Sequence, residues 1–298
     1  ELVFTNEKPY VIYGYAGIPP EKTAVFEAGA RIHFHDNSGL IAAQSSSVHV
    51  LGNPSVDEEK LEGEVIFAGD RLEPFFEDIP GQWGTIWLTA GSTNHIFRHA
   101  TIKNASVGIL MDYNDETENP TLLLEQTQIH NSSTVGLWAK TAHVKAVNSI
   151  FGNAGNASFY GNIGGSYEFT HCTFSNYWNR SFRSTPAVIL NDYVPISQTE
   201  DFIVPLEKAV FANCIIDGNQ SVEFGVEQKG EQELSFTLDH TALRFDPSDD
   251  SIFENPYYDF NALEYYPKLF VNKKASFHNP IQNDFCITQE SEFIGLGN

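Results

Sequence analysis

Apolar and polar residues alternate at period 2 through most of this chain, and a recurring phrase breaks the alternation into short runs. The phrase reads His99-Ala100-Thr101-Ile102-Lys103-Asn104, then Gln126-Thr127-Gln128-Ile129-His130-Asn131. It returns as Asn148-Ser149-Ile150-Phe151-Gly152-Asn153 and His171-Cys172-Thr173-Phe174-Ser175-Asn176. Asn213-Cys214-Ile215-Ile216-Asp217-Gly218 and His240-Thr241-Ala242-Leu243 are weaker echoes. The anchors Ile102, Ile129, Phe151, Phe174, Ile216 and Leu243 stand 27, 22, 23, 42 and 27 residues apart, so one interval holds an insertion or two turns. A period of this size marks stacked supersecondary units. The repeat speaks to fold and does not by itself state a function.

Aligned on the anchors, each offset becomes a column. Five residues before them stand Phe97, Leu124, Ala146, Phe169, Phe211 and Leu238; seven before, His95, Leu122, Val144, Tyr167, Ala209 and Phe236. This spacing predicts strands that turn these side chains inward. Two before the anchor every residue is small (Ala100, Thr127, Ser149, Cys172, Cys214, Thr241), which suits a crowded corner. Asn104, Asn131, Asn153 and Asn176 follow the anchors. Asn tolerates a left-handed turn, and stacked amides can form a ladder. A further strand after each turn points Ile109 and Met111, Leu137 and Ala139, Phe159, Val188 and Leu190, Phe224 and Val226 inward. Helical periodicity is largely missing.

These residues resemble the right-handed parallel β-helix family, the solenoid of pectate lyases and many secreted bacterial proteins, over roughly residues 23–245. The opening Thr23-Ala24-Val25-Phe26-Glu27-Ala28-Gly29-Ala30-Arg31-Ile32-His33-Phe34, with Val65-Ile66-Phe67 and Trp83-Gly84-Thr85-Ile86-Trp87-Leu88, is similar to first turns in cell-envelope proteins. So is the ending, from Pro267-Lys268-Leu269-Phe270 to Ile294-Gly295-Leu296-Gly297. Together they look most like β-helical surface lipoproteins of Bacteroides-type gut bacteria. The expected fold is all-β, one domain of about ten rungs at roughly 4.8 Å each. Residues 1–22 are expected as an N-terminal cap, 23–245 as rungs with an insertion near 191–208, and 246–298 as terminal closure, because an open solenoid end is an edge. Residues 52–64, with Asp57-Glu58-Glu59, and 112–120, with Asp115-Glu116, read as polar loops.

Charge narrows the partners. The 298 residues carry a net −22, from 17 basic and 39 acidic side chains, which argues against nucleic acid and against anionic membranes. No apolar run is long enough to span a bilayer. Glu1 is no initiator and Met111 is the only methionine, so a preceding segment with a signal, a lipid anchor or another domain is expected. The resemblance to surface lipoproteins implies a cell-envelope protein, at the outer surface or in the periplasm. Three cysteines without a CxxC give no disulfide or metal framework; Cys172 and Cys214, in the small inward column, read as structural thiols.

Candidate chemistry is sparse, and no cofactor is implied. The resemblance to sugar-active β-helices directs attention to Asn-Thr-Asp, a paired Asp-Asp and Gly-His-Gly, but the only Asp-Asp, Asp249-Asp250, sits in a Pro/Ser loop. Lyases of this fold use Arg or Lys as base, so Arg183, Asp192 and Tyr193 are the candidates for an atypical catalytic site. His33 and His35 share a strand face as metal ligands can, yet Ile32 and Phe34 claim the core and both read as ordinary outward residues. His99, His171 and His240 share a column with Gln126, Asn148 and Asn213, which asks for a hydrogen-bonding bend residue. The five Asn-x-Ser sequences are by-products of the turn pattern. A different hint comes from Leu110, Trp138, Tyr160 and Ile189, outward on successive rungs beside Asp112, Tyr113, Asp192 and Tyr193. Flat aromatic faces flanked by carboxylates and amides suit sugar rings, so Trp138, Tyr160, Tyr113 and Asp112 are the expected ligand contacts. The leading expectation is a cell-envelope β-helix with a binding or structural role, towards polysaccharide. The alternatives are an atypical polysaccharide lyase or glycoside hydrolase, and a rigid adhesin or scaffold whose strip another domain or the insertion covers.

Overall fold

Period-2 alternation at a fixed repeat has one outcome in three dimensions: short strands that stack on their own equivalents. The computed structural model describes residues 1–57, 60–114 and 119–297. Twenty-five strands join one ladder, parallel between neighbouring coils. His95–Arg98, Ala100–Lys103 and Val107–Asn114 form a typical coil, one strand on each of three sheets, here called A, B and C. The only helical pieces among the described residues are 3₁₀ segments of three to five residues, such as Pro74–Phe76 and Asp250–Glu254. The chain is a parallel β-helix.

The register follows the sequence columns. Ile102 pairs with Ile129, Ile129 with Phe151, Phe151 with Phe174, Phe174 with Ile216 and Ile216 with Leu243. Phe174 and Ile216 are direct neighbours, so the 42-residue interval is one coil with excursions, not two turns. One excursion is the antiparallel hairpin Tyr193–Pro195 with Asp201–Ile203, inside the expected 191–208 insertion. The inner columns make one core; Phe97, Phe151, Phe169, Phe174 and Phe211 have no exposed surface. Phe151 and Phe174 stack at 4.8 Å, a rung-to-rung contact that only an in-register parallel stack supplies.

The corners explain the polar columns. His99, Gln126, Asn148, His171, Asn213 and His240 all have φ between 44° and 54°, so each A-to-B bend is a single left-handed residue. The small column beside it does more than fit. Thr127, Ser149, Cys172, Cys214 and Thr241 each donate a side-chain hydrogen to the carbonyl two residues back, as in Ser149 Oγ to Val147 O at 3.0 Å. The Asn column was expected to form a continuous ladder, and it does not. Asn131 donates to Asn104 Oδ1 at 2.6 Å, but Asn153 donates to Pro280 O and Asn283 Oδ1, and Asn176 to Ala154 O. Long loops return over this corner, so their carbonyls compete for the amides.

The two ends are built differently. Residues 1–22 include Leu2–Phe4, Tyr10–Ile12 and Tyr15–Ile18, a coil in register with the next one. At the other end Tyr257, Tyr258 and Tyr266 are buried, the first and last against Phe236, and close the core. Residues 277–287 then turn back up the flank, where Phe285 packs against Gly152. Of the two acidic loops, Glu58 and Glu59 and residues 115–118 lie outside the described residues.

Candidate binding face

Sheet C carries two outward columns. Ile41, Trp87, Leu110, Trp138, Tyr160 and Ile189 pair in unbroken register, which extends the expected strip by Trp87 and Ile41. The signal was present, since Ile86-Trp87-Leu88 repeats the in-out-in pattern of Ile109-Leu110-Met111, but long loops in that coil hide its register. Two residues on runs a polar column: Asp112, Lys140, Asn162, Asn191 and Glu227. All six strip side chains are half-buried.

Within the strip the two neighbouring rings, Trp138 and Tyr160, are stacked on each other, not laid flat. Trp138 and Tyr160 have centroids 5.8 Å apart and planes 13° apart, and the Lys140 ammonium stands 4.7 Å from the Trp138 ring centroid. Adjacent rungs are too close for broad rings side by side, so the surface offered is a ridge of ring edges with aliphatic neighbours. This corrects the expectation of flat aromatic faces.

Beside the ridge the polar groups are organised. Both Asp112 oxygens are engaged, Oδ1 by Lys140 Nζ at 3.1 Å and Oδ2 by Trp87 Nε1 at 2.6 Å. Asn162 accepts from Trp138 Nε1 and donates to Asn191 Oδ1 and to the Tyr160 hydroxyl; Asn191 donates to that hydroxyl too, at 3.1 Å. Burial holds the Tyr160 phenol above its ordinary pKa, against the pull of Asn191. Asn162 and Asn191 are themselves buried, with Tyr193 O accepting from Asn162. Tyr113, with φ 48°, is the corner residue where sheet C turns towards A, in the column of Thr141 (φ 45°) and Ile163 (φ 59°), and it is 43% exposed.

The atypical catalytic set is dispersed. Arg183 is 3% exposed and grips Glu223 with both NH groups, at 2.9 and 2.7 Å, while also reaching Asn176 O, Thr185 O and Asn219. Burial pushes the Glu223 carboxyl up, with Arg183 opposing. Asp192 has no exposed surface and accepts from the backbone N–H of Lys229 and Gly230, pinning that loop. Tyr193 donates to Glu227 at 2.7 Å, which raises its phenol pKa. Arg183 precedes strand Val188–Asn191 and Asp192 follows it, so the two lie at opposite ends of that strand. Sequence reasoning missed Glu223 and the pair Tyr177–Asp217 (2.8 Å), both 40 residues from their partners with no local signal. Burial raises Asp217 as well.

Elsewhere the chemistry is thinner. Ile32 and Phe34 are fully buried; His33 faces Gly69 O and His35 faces Asp70. Cys172 and Cys214 are buried thiols, and burial raises Cys214. A hollow of about 490 Å³ on sheet A is lined by Ile96, Leu123 and Val147 among others, with no Phe, Tyr or Trp. No helix among the described residues is long and apolar enough to cross a membrane. No protein-family model, curated protein or solved structure matches this chain.

Proposed function

We propose that this is a β-helix protein of the cell envelope that binds glycan chains on the outer face of sheet C and does not cleave them. The reading rests on one observation: an apolar ridge, Trp87 to Ile189, runs beside a polar column whose hydrogen bonds are already organised. Apolar C–H groups of a sugar pack on such a ridge while its hydroxyls need pre-oriented polar partners. The acidic exterior and the resemblance of the opening and closing segments to surface lipoproteins support the envelope setting. A glycan array probed with the wild type and with Trp138→Ala/Tyr160→Ala tests it. The double variant should fall at least about tenfold in affinity, the scale of two lost contacts at a hot spot. Undiminished binding by the double variant removes this face from the proposal.

A further inference from the structure

The charges around the ridge restrict what kind of glycan it takes, given the glycan reading above. Lys140 is the only basic residue in the sheet C strands, and it is consumed twice, by Asp112 at 3.1 Å and by the face of Trp138. Lys229, at the lower end, is held by Asp201 at 2.7 Å and stands over Tyr193. Arg183 is locked inside with Glu223. Asp112, Asp201 and Glu227 therefore outnumber the two lysines of this face, and each lysine already has a carboxylate partner. A polyanion would have to break an existing ion pair and approach a molecule of net charge −22.

The groups left available are uncharged. Tyr160 accepts a hydrogen bond from Asn191 at 3.1 Å, with the Asn162 amide shared between it at 3.3 Å, Asn191 Oδ1 and Tyr193 O, and its own O–H has no acceptor among the described residues. A phenol held in this way offers its proton to a ligand oxygen, and a sugar hydroxyl or ring oxygen is the matching acceptor. Direction follows from the columns. Within one coil, sheet C presents a single ridge residue and a single polar-column residue, so a chain crossing the strands meets one of each. A chain lying along the solenoid axis meets a ridge residue again at every rung, about 4.8 Å on, with the polar column beside it at the rungs of Asp112 and Lys140. The hairpin Tyr193–Ile203 meets Asn162 through the Tyr193 carbonyl and bounds the lower end.

We propose that the ligand is a neutral polysaccharide lying along the solenoid axis, with a hydroxyl or ring oxygen on Tyr160, and that polyuronates and sulfated glycans are rejected.

Affinity electrophoresis in native gels tests this, using gels that contain galactan, mannan, xylan or β-glucan against gels that contain polygalacturonate or dextran sulfate. The expected result is retardation by at least one neutral polymer, little changed by salt, and none by the acidic ones. Tyr160→Phe, which keeps the ring, should weaken the neutral interaction about fivefold to tenfold, in line with one lost hydrogen bond. Its thermal midpoint, read alongside, shows that the fold is kept. Retardation by the acidic polymers alone, relieved by salt, overturns the neutral assignment and leaves the glycan reading standing. Unchanged mobility in every gel overturns the glycan reading itself, and the assignment with it.

Discussion

Arg183 shows how one side chain can look catalytic in sequence and act as a strut in the fold. Its guanidinium joins three segments, meeting Asn176 O, Asn219 and the Glu223 carboxylate, and its side chain is 1% exposed. A buried ion pair is worth little net, but removing one partner strands the other charge away from water. Arg183→Met should therefore cost about 3–5 kcal/mol in chemical denaturation, and Arg183→Met/Glu223→Met should recover much of it. Glycan binding per folded molecule should not change. A variant that keeps full stability yet loses binding would return Arg183 to the functional site.

At the scale of elements, the coils and their excursions are stabilised differently. Each inner strand is paired on both sides and buries a Phe, Ile, Leu or Val. The flank hairpin, Phe277–Asn279 with Asp284–Ile287, pairs only with itself. It is held by Asn153, by Phe285 on Gly152 and by the edge of Phe277 against Tyr177. Hydrogen exchange should reach amides of 277–287 well before those of Phe151 and Phe174, because few contacts must open. Phe285→Ala should accelerate the hairpin further and leave the coil amides protected. Equal protection of hairpin and coils would show that the return strand belongs to the core. Gly152 is where this contact is decided, since a Cβ there would lie 2.6 Å from the Phe285 ring.

The whole molecule carries 39 acidic residues against 17 basic, and two buried histidines add a sensitivity to acid of their own. His95 and His130 are pushed down to about 3, first by burial and then by His49 and Lys103. The folded chain keeps both neutral, while the unfolded chain protonates them below about 6.5. The unfolded state thus binds more protons between those values, and stability falls as pH drops from about 6.5 towards 3. The slope should approach about 1.4 kcal/mol per pH unit for each histidine. Thermal midpoints measured from neutral to acid pH should fall over this window, and His95→Asn/His130→Asn should flatten the decline. A wild-type midpoint flat across that window contradicts the burial of these rings.

The repeat, the inward columns, the single-residue bends and the outward placing of Trp138 and Tyr160 were all legible in the chain. Each depends on period-2 alternation and on an interval of 22 or 27 residues, both local properties. What each outward side chain does was decided only in three dimensions. The partners of Asp112, Arg183 and Asn153 lie 25, 40 and 127 residues away, brought over by coil stacking or by loops that fold back. Rung spacing stacked two rings that the outward column suggested would lie flat, and returning carbonyls took amides that the pattern assigned to a ladder. Alternation specifies which face of a strand is dry; it carries no information about which distant segment will meet the wet one.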